Sequence, residues 1–400
     1  MKQRIKNHPL AKQYGEELLV FSHGEGCRLY DASGKEYLDM GAGIAVNALG
    51  YGRRDLAETA YEQMTKLTHV SNLFTTPPQL ELAEKIVASH AAAAAVHFGS
   101  SGTEANEAAL KYARLYALSR KGAGHHRLIA FSSSFHGRTM GSLSLTANRK
   151  YTMPFEPLLP GCTILPYNDL QALEDNLDET VAGVIVEPVQ GEGGLNQLSR
   201  EFAEALNRLC RQYDALLIAD EVQSGLGRCG ALYAGERIGL KPDIITLAKP
   251  LGGGLPLSAT LLPAKVDALL KPGHHASTFG GGPVTTMVAL KVWDIVTAHE
   301  FIDEVSRKGE FAVRLLEEGL GERAGEVRGA GLLLGLRLRD TKFDGPWCDR
   351  IIAKMNERGI IILKSGTDVL RLAPPLVISD DELKWGIAQM LEVIRKDIEG

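Results

Sequence analysis

Short apolar runs of strand length alternate along most of this chain with longer segments of helical period, and each run ends in polar or glycine-rich residues. That alternation is the mark of a mostly parallel sheet whose strands are joined by crossover helices, so the fold class is α/β. The clearest runs are Ala95 to Phe98, Leu128 to Phe131, Val181 to Val186, Ala215 to Ala219 and Ile244 to Leu247. In such sheets the strand ends open onto a ligand crevice. Between the runs, the spacing predicts a helix over Glu104 to Ser119, with Ala105, Ala108, Ala109, Tyr112 and Tyr116 on one face, and a second over Arg200 to Tyr213.

From Pro283 the pattern reads as one long helix, then as a smaller unit. That unit has a strand at Leu332 to Leu336, a helix near Trp347 to Arg358, strands at Ile360 to Leu363 and Val369 to Leu372, and a final helix from Asp380. Near the start, Arg28 to Tyr30 and Glu36 to Asp39 read as a strand pair around the turn Ser33-Gly34. The 400 residues exceed one small module. We expect a large domain over 46–290, a small C-terminal domain over 291–400, and a segment 1–45 that packs with the small one.

Charge and cysteine usage exclude several classes. The 44 Lys and Arg against 49 Asp and Glu give a net charge of −5 with no basic block, so nucleic acid is not the expected partner. Cys27, Cys162, Cys210, Cys229 and Cys348 are widely spaced and form no CxxC pair, which points to reduced thiols and no metal. No uninterrupted apolar stretch reaches the roughly 20 residues of a membrane helix. The polar stretch MKQRIKNHPLAKQYGEELL does not read as a signal peptide, so a cytoplasmic location is expected, without a membrane partner.

Three places can carry chemistry. His97-Phe-Gly-Ser-Ser-Gly-Thr-Glu-Ala-Asn106 runs from a strand through a glycine turn into a helix start. Small residues there let amides approach an anion, Ser101 and Thr103 add hydroxyls, and the helix terminus adds partial positive charge. A plain helix cap reads the same residues equally well. Asp220, in Ala219-Asp-Glu-Val-Gln223, ends a strand at the crevice. It either caps a turn or faces a heteroaromatic cation; a pair about 4 Å apart at an effective dielectric of ~20 is worth ~4 kcal/mol, about three pKa units. Lys249 follows the strand Ile244-Ile-Thr-Leu247. Burying its ammonium is costly unless it is paired or converted to a Schiff base, whereas a lysine reaching to solvent is the commoner case.

Other motifs are weaker. Gly225-Leu-Gly227-Arg-Cys-Gly230 satisfies GxGxxG, but it lies past its strand and no convincing helix follows. GxxxxGK[ST], GxSxG and HExxH are absent from the sequence. The pairs His125-His126 and His274-His275 lack metal-ligand spacing and read as loop residues. On its own residues, Arg371 in Val369-Leu-Arg-Leu reads as a surface residue.

The order of anion cup, strand-end acid and strand-end lysine resembles the class III, fold-type I aminotransferases that use pyridoxal 5′-phosphate. The resemblance covers nearly the whole chain and is carried by Gly43-Ile-Ala-Val-Asn-Ala-Leu-Gly50, Ser71-Asn-Leu-Phe74, Ser100-Ser-Gly-Thr-Glu-Ala-Asn-Glu107, Phe135-His-Gly-Arg-Thr139, Glu187-Pro-Val-Gln-Gly-Glu192, Asp220-Glu-Val-Gln223 and Leu247-Ala-Lys249. These stretches are most similar to the branch acting on acetylornithine.

The resemblance implies a large cofactor-binding domain and a ping-pong transaminase that moves the terminal amino group of N2-acetylornithine to 2-oxoglutarate, yielding glutamate. Ornithine, succinylornithine and 4-aminobutyrate are alternative donors. It further implies that Lys249 bonds the cofactor and moves the proton, Asp220 pairs with its ring nitrogen, and Gln223 reaches its phenolic oxygen. Phe135 would stack on the ring beside His136, and Ser101, Gly102 and Thr103 would hold the phosphate. Arg138 and Arg371 would bind carboxylates, with Glu192 pairing to Arg371 when the amino donor is bound. Thr278 would reach the phosphate of a neighbouring subunit, which makes a homodimer with shared sites. Ser100, Gly282 and Tyr51-Gly-Arg53 depart from the family pattern, the first two near the expected phosphate. A nicotinamide-dependent oxidoreductase using the Gly225 turn and a non-catalytic binder are the readings outside this class.

Overall fold

The central sheet has seven strands in the order Ala93–Gly99, Ser258–Pro263, Ile244–Leu247, Leu216–Asp220, Val181–Val186, Arg127–Phe131 and Cys162–Leu165. Ser258–Pro263 runs antiparallel to both neighbours, and the other adjacent pairs are parallel. These strands belong to a computed structural model that describes residues 4–6, 8–15, 17–320, 324–338 and 346–399. Residues 1–3, at the head of the stretch weighed as a signal peptide, and residue 400, the outer limit of the small domain, lie outside them.

Alternation along the strands feeds two cores. Leu217 and Ala219 join Ile245, Leu247, Phe131 and Phe202 in one buried cluster. Leu216, Ile218 and Ile244 join Ala108, Ala109, Tyr112, Ala113 and Tyr116 in another on the opposite face. The helix Gly102–Lys121 supplies that second face, and its alanine stripe is why it lies so close. A Cβ on Gly183 would sit 3.0 Å from the Cβ of Ala113. The helix opens on Ser101, whose Oγ accepts from Glu104 N, and closes at Gly122, whose N–H donates to Leu118 O.

A smaller four-stranded sheet follows in the order Ala324–Ala330, Leu333–Leu338, Val369–Leu372 and Leu363–Ser365, all antiparallel. Its core includes Leu334, Leu336, Leu370, Leu372, Trp347 and Ile387. The expected strand pair near the start is present as Arg28–Asp31 against Glu36–Asp39, and Ile360 pairs in parallel with Leu38, tying this sheet to the C-terminal half.

Three expectations change. The single helix from Pro283 is two helices, Pro283–Val296 and His299–Leu320. Thr297 ends the first by donating its hydroxyl to Trp293 O at 2.7 Å. The strand expected over Ile360 to Leu363 splits into Ile360–Ile361 and Leu363–Ser365, which pair in different sheets. Finally, Cys162–Leu165, Ser258–Pro263 and Ala324–Ala330 are strands that the periodicity did not single out.

Phe202, on the helix Arg200–Gln212, is fully buried and meets Phe131 edge to face at 5.3 Å. Phe202→Ala is expected to lower the unfolding free energy by about 3–5 kcal/mol in urea titration, whereas Glu204→Ala on the exposed side of the same helix changes it by less than about 0.5 kcal/mol.

Candidate active site

The carboxyl ends of Leu216–Asp220 and Ile244–Leu247 meet the start of Gly102–Lys121 around a cavity of about 400 Å³. Ser101, Gly102, Thr103, Phe135, His136, Arg138, Asp220, Gln223 and Lys249 all line it. The sequence therefore brings these nine positions, scattered over about 150 residues, to one place.

At the helix start, the Glu104 carboxylate accepts from Ser100 N at 2.6 Å and from Ser101 Oγ at 3.0 Å. The plain capping reading of Ser101 is thus correct, and the same helix start lines the cavity. The first N–H groups of a helix have no partner within it, and here they open onto the cavity. Gly102 is required by packing, because a Cβ there would fall 2.5 Å from Val222 Cγ1. Thr103 Oγ1 lies 2.7 Å from Thr139 Oγ1.

Asp220 shares strand parity with Leu216 and Ile218, which turns it toward the same helix. Its Oδ2 accepts from Asn106 Nδ2 at 2.8 Å and from His136 Nδ1 at 2.7 Å, and its Oδ1 accepts from Val222 N at 3.1 Å. Asn106 is itself fixed, donating to His136 O and accepting from Thr246 Oγ1 at 2.8 Å each. The neighbouring Glu221 points away, accepting from Ser224 Oγ and Gly235 N. So the two adjacent acids divide the readings between them: Glu221 holds a turn, and Asp220 faces the cavity.

Lys249 sits at φ +31°, a backbone region that non-glycine residues avoid at a cost of about 1–3 kcal/mol. The 3-10 turn Lys249–Gly252 follows at once, and the side chain faces the cavity. Burial pulls its pKa down to about 8; Glu192, Asp220 and Glu187 oppose the fall, and Arg371 adds to it. The reading of Lys249 as a solvent-reaching lysine is therefore set aside.

Arg371 is also buried, at 2 % exposure, contrary to its reading as a surface residue. The strand Val369–Leu372 is covered on both sides, so its arginine turns inward. Its Nη1 donates to Gly191 O at 2.8 Å, to Gln223 Oε1 at 3.1 Å and to Glu192 Oε1. Gln223 Nε2 donates to the same Glu192 oxygen at 3.4 Å. Burial acts to raise the Glu192 carboxyl, but Arg371 and Lys249 outweigh it and hold it below its ordinary value. Arg138 is exposed instead, its guanidinium 3.8 Å from the Tyr151 ring centroid and 5.4 Å from that of Phe135.

Thr278 and Gly282 lie apart from the cavity, together with Ser71, Asn72 and Gln79. Ser100 lines the cavity, and Tyr51 OH donates to Asp39 Oδ2 at 2.5 Å. The Gly225–Gly230 turn fails as a dinucleotide fingerprint: Arg228 at its centre is buried against Leu332, and the next element is the short 3-10 turn Ala234–Ile238.

Two residues were not singled out. Asn106 was quoted only within its stretch, and its role appears once strand and helix are in place. Glu187 lines the cavity and accepts from Phe135 N at 3.1 Å. Burial, then the Asp220 charge, push its carboxyl well above the usual range. Besides its place in the stretch Glu187–Glu192, its position at the end of the strand Val181–Val186 was the legible signal.

Lowered basicity predicts reactivity. In protein free of cofactor, methylation of Lys249 by formaldehyde and cyanoborohydride, read by peptide mass, should rise with a midpoint near pH 8, against ~10.4 for an ordinary lysine. Because the Glu192 charge holds the ammonium on, Glu192→Gln should move that midpoint lower still.

A covered carboxylate, a helix start, an aromatic face and a half-buried lysine around one cavity fit a phosphorylated heteroaromatic aldehyde, and the orphaned ring nitrogen His136 Nε2 adds a polar atom without a partner among the described residues. Comparison with known proteins agrees. The profile of the aminotransferase class-III family matches residues 10–394. The mitochondrial acetylornithine aminotransferase of Alnus glutinosa is 43% identical over 96% of this chain and 85% of its own. The succinylornithine transaminase of Salmonella newport is 43% identical over 91% of this chain and 89% of its own. The crystal structure of N-acetylornithine aminotransferase from Stenotrophomonas maltophilia superposes with a TM-score of 0.83 at 35% identity, covering 97% of this chain and 98% of that one. With a family profile that spans almost its whole length and an active-site geometry to match, this chain belongs to the class-III aminotransferases, which depend on pyridoxal 5′-phosphate.

Proposed function

We propose that the enzyme moves the terminal amino group of N2-acetylornithine to 2-oxoglutarate, giving the semialdehyde and glutamate. The observation that carries this reading is the buried Arg371 guanidinium, masked by the chain's own Glu192 beside Lys249. A cation so masked suits a donor whose distal end is uncharged at that point; once unmasked, it suits a dicarboxylate acceptor. Named relatives acting on acetylornithine and on succinylornithine support an N-acylated donor.

In this reading Ser101, Gly102 and Thr103 hold the cofactor phosphate, Phe135 stacks on the ring beside His136, and Gln223 faces the phenolic oxygen. Asp220, held by the Asn106 amide, the Val222 N–H and the His136 ring, faces the ring nitrogen. When bound, pyridoxal 5′-phosphate supplies an electron sink for the carbon that loses its proton. Lys249, with a pKa near 8, is poised to take that proton at Nζ and return it. Arg138 and Arg371 hold the substrate carboxylates.

We also propose a homodimer in which Thr278 reaches the partner's site. Asn72 donates to Ser277 O at 2.7 Å and to Gly280 O at 2.9 Å, which groups the exposed Leu73, Phe74 and Phe279 next to Thr278. An apolar patch of that kind suits a second copy of the chain. Among the described residues no helix is long and apolar enough to cross a membrane. The five free cysteines fit a reducing compartment, and we take it to be the cytoplasm.

Assayed with 2-oxoglutarate, acetylornithine should be turned over with a kcat/KM at least about tenfold above those of ornithine and 4-aminobutyrate, and succinylornithine measures how far the acyl group matters. A higher value for 4-aminobutyrate would overturn the donor assignment. Lys249→Ala should lose turnover by ~10³-fold or more while keeping its fold by circular dichroism. In sedimentation, the protein should run at twice 43.3 kDa, and Phe279→Glu should shift it toward the single chain.

A further inference from the structure

Arg228 sits at the centre of the glycine turn Gly225–Gly230, five residues beyond Gln223 of the site. It is 0 % exposed, and among the described residues it has no ion-pair partner. Its Nη1 donates to Leu332 O at 3.1 Å and to Pro374 O at 2.6 Å, while Nε and Nη2 have no protein partner among the described residues. Its own carbonyl accepts from Leu332 N at 3.0 Å. Burial lowers its pKa to about 10, with Cys229 and Asp39 opposing, so the group stays a cation at neutral pH.

A buried cation with idle N–H groups is a poor device for stability, since an apolar side chain of similar volume avoids the desolvation. Its use lies in what it grips. Leu332 opens the strand Leu333–Leu338, and Pro374 follows the strand Val369–Leu372. These two strands pair with each other, and Arg371 lies opposite Gly335 in that ladder. One guanidinium thus holds an end of the strand that carries Arg371 and an end of the strand paired with it. The turn that presents it follows Gln223 by only a few residues, so it is tied to the Asp220 strand end.

The same grip extends to the cavity wall. Ala373 N donates to Met40 O and Leu376 N to Ala48 O, so the segment around Pro374 also anchors both sides of Gly41–Val46, of which Val46 lines the cavity. Close packing at Gly331 completes the joint. At φ +53°, with a Cβ there falling 2.6 Å from the Cys229 carbonyl carbon and 2.7 Å from Arg228 O, only glycine fits.

We propose that Arg228 is a positioning residue that sets where Arg371 stands relative to the Lys249 cavity, and through it the affinity for the dicarboxylate substrates. The proposal rests on the reading of Arg371 as the acceptor's carboxylate site. In that reading the acylated donor leaves Arg371 to Glu192, so a displaced Arg371 harms one half-reaction and spares the other.

The test is the split between substrates. Arg228→Met should raise the KM for 2-oxoglutarate and the calorimetric Kd of glutarate, a non-reacting dicarboxylate, by about tenfold each. The KM for acetylornithine should stay within about twofold, and Arg228→Lys, which can still donate to both carbonyls, should recover most of the loss. Arg228→Gln, which keeps an N–H donor on a shorter side chain, should give the same split in smaller measure, which keeps the test decisive if Arg228→Met does not fold. Equal rises in both KM values, or no rise in the glutarate Kd, would overturn the proposal. If the unmodified enzyme instead ignores acetylornithine, the donor assignment is at fault, and the glutarate Kd still decides the role of Arg228.

Discussion

The site depends on how charge is kept buried at the end of a parallel sheet. Lys249, Arg371, Asp220, Glu187 and Glu192 influence one another around one small space, and none has bulk water as its main partner. Burial alone would strip the proton from the lysine and press protons onto the carboxylates. The outcome differs at each group because the compensation differs. Glu192 has the Arg371 guanidinium and is held below its ordinary value, Glu187 has the Phe135 N–H and the Lys249 charge, which do not offset its burial and the Asp220 charge, and is driven toward its neutral form, and Lys249 is left between the two.

That balance requires the carboxylates to come from separate chain segments held in fixed relation, and the topology provides it. Asp220 ends one strand, Glu187 follows its neighbour, and Lys249 follows the strand on the other side. Asn106 then ties the helix Gly102–Lys121 to two of those strands through Asp220 and Thr246. Moving the helix along the sheet would break both bonds at once, so its alanine face and its asparagine set the same register.

Much of this was legible in the sequence where one physical signal dominated. Strands buried on both faces announce themselves as continuous apolar runs, and Val181–Val186 and Ile244–Leu247 were read to the residue. Ser258–Pro263 carries Ser and Thr that face the helix, with Thr260 donating to Ala105 O, so its run was diluted. Lys249 and Asp220 stood out because a charge at an inward strand end needs a reason. Arg371 did not, since a lone arginine in a short strand looks the same whether it faces solvent or a carboxylate. Its burial depends on Glu192 and Gly191, some 180 residues earlier, and no local pattern encodes that meeting. The Gly225–Gly230 turn, discounted as a dinucleotide motif because it lies past its strand, fits its glycines against Glu221 O, Val296 O and Ser306 Oγ, neighbours that the motif alone does not name.

The pairing of Ser101 with Glu104 also bears on what binding at that helix start costs. Because the chain itself pins the turn, the backbone of Gly102 and Thr103 is already ordered beside the cavity and has little freedom left to lose if an anion docks there. Disorder that would otherwise oppose capture is given up beforehand, during folding.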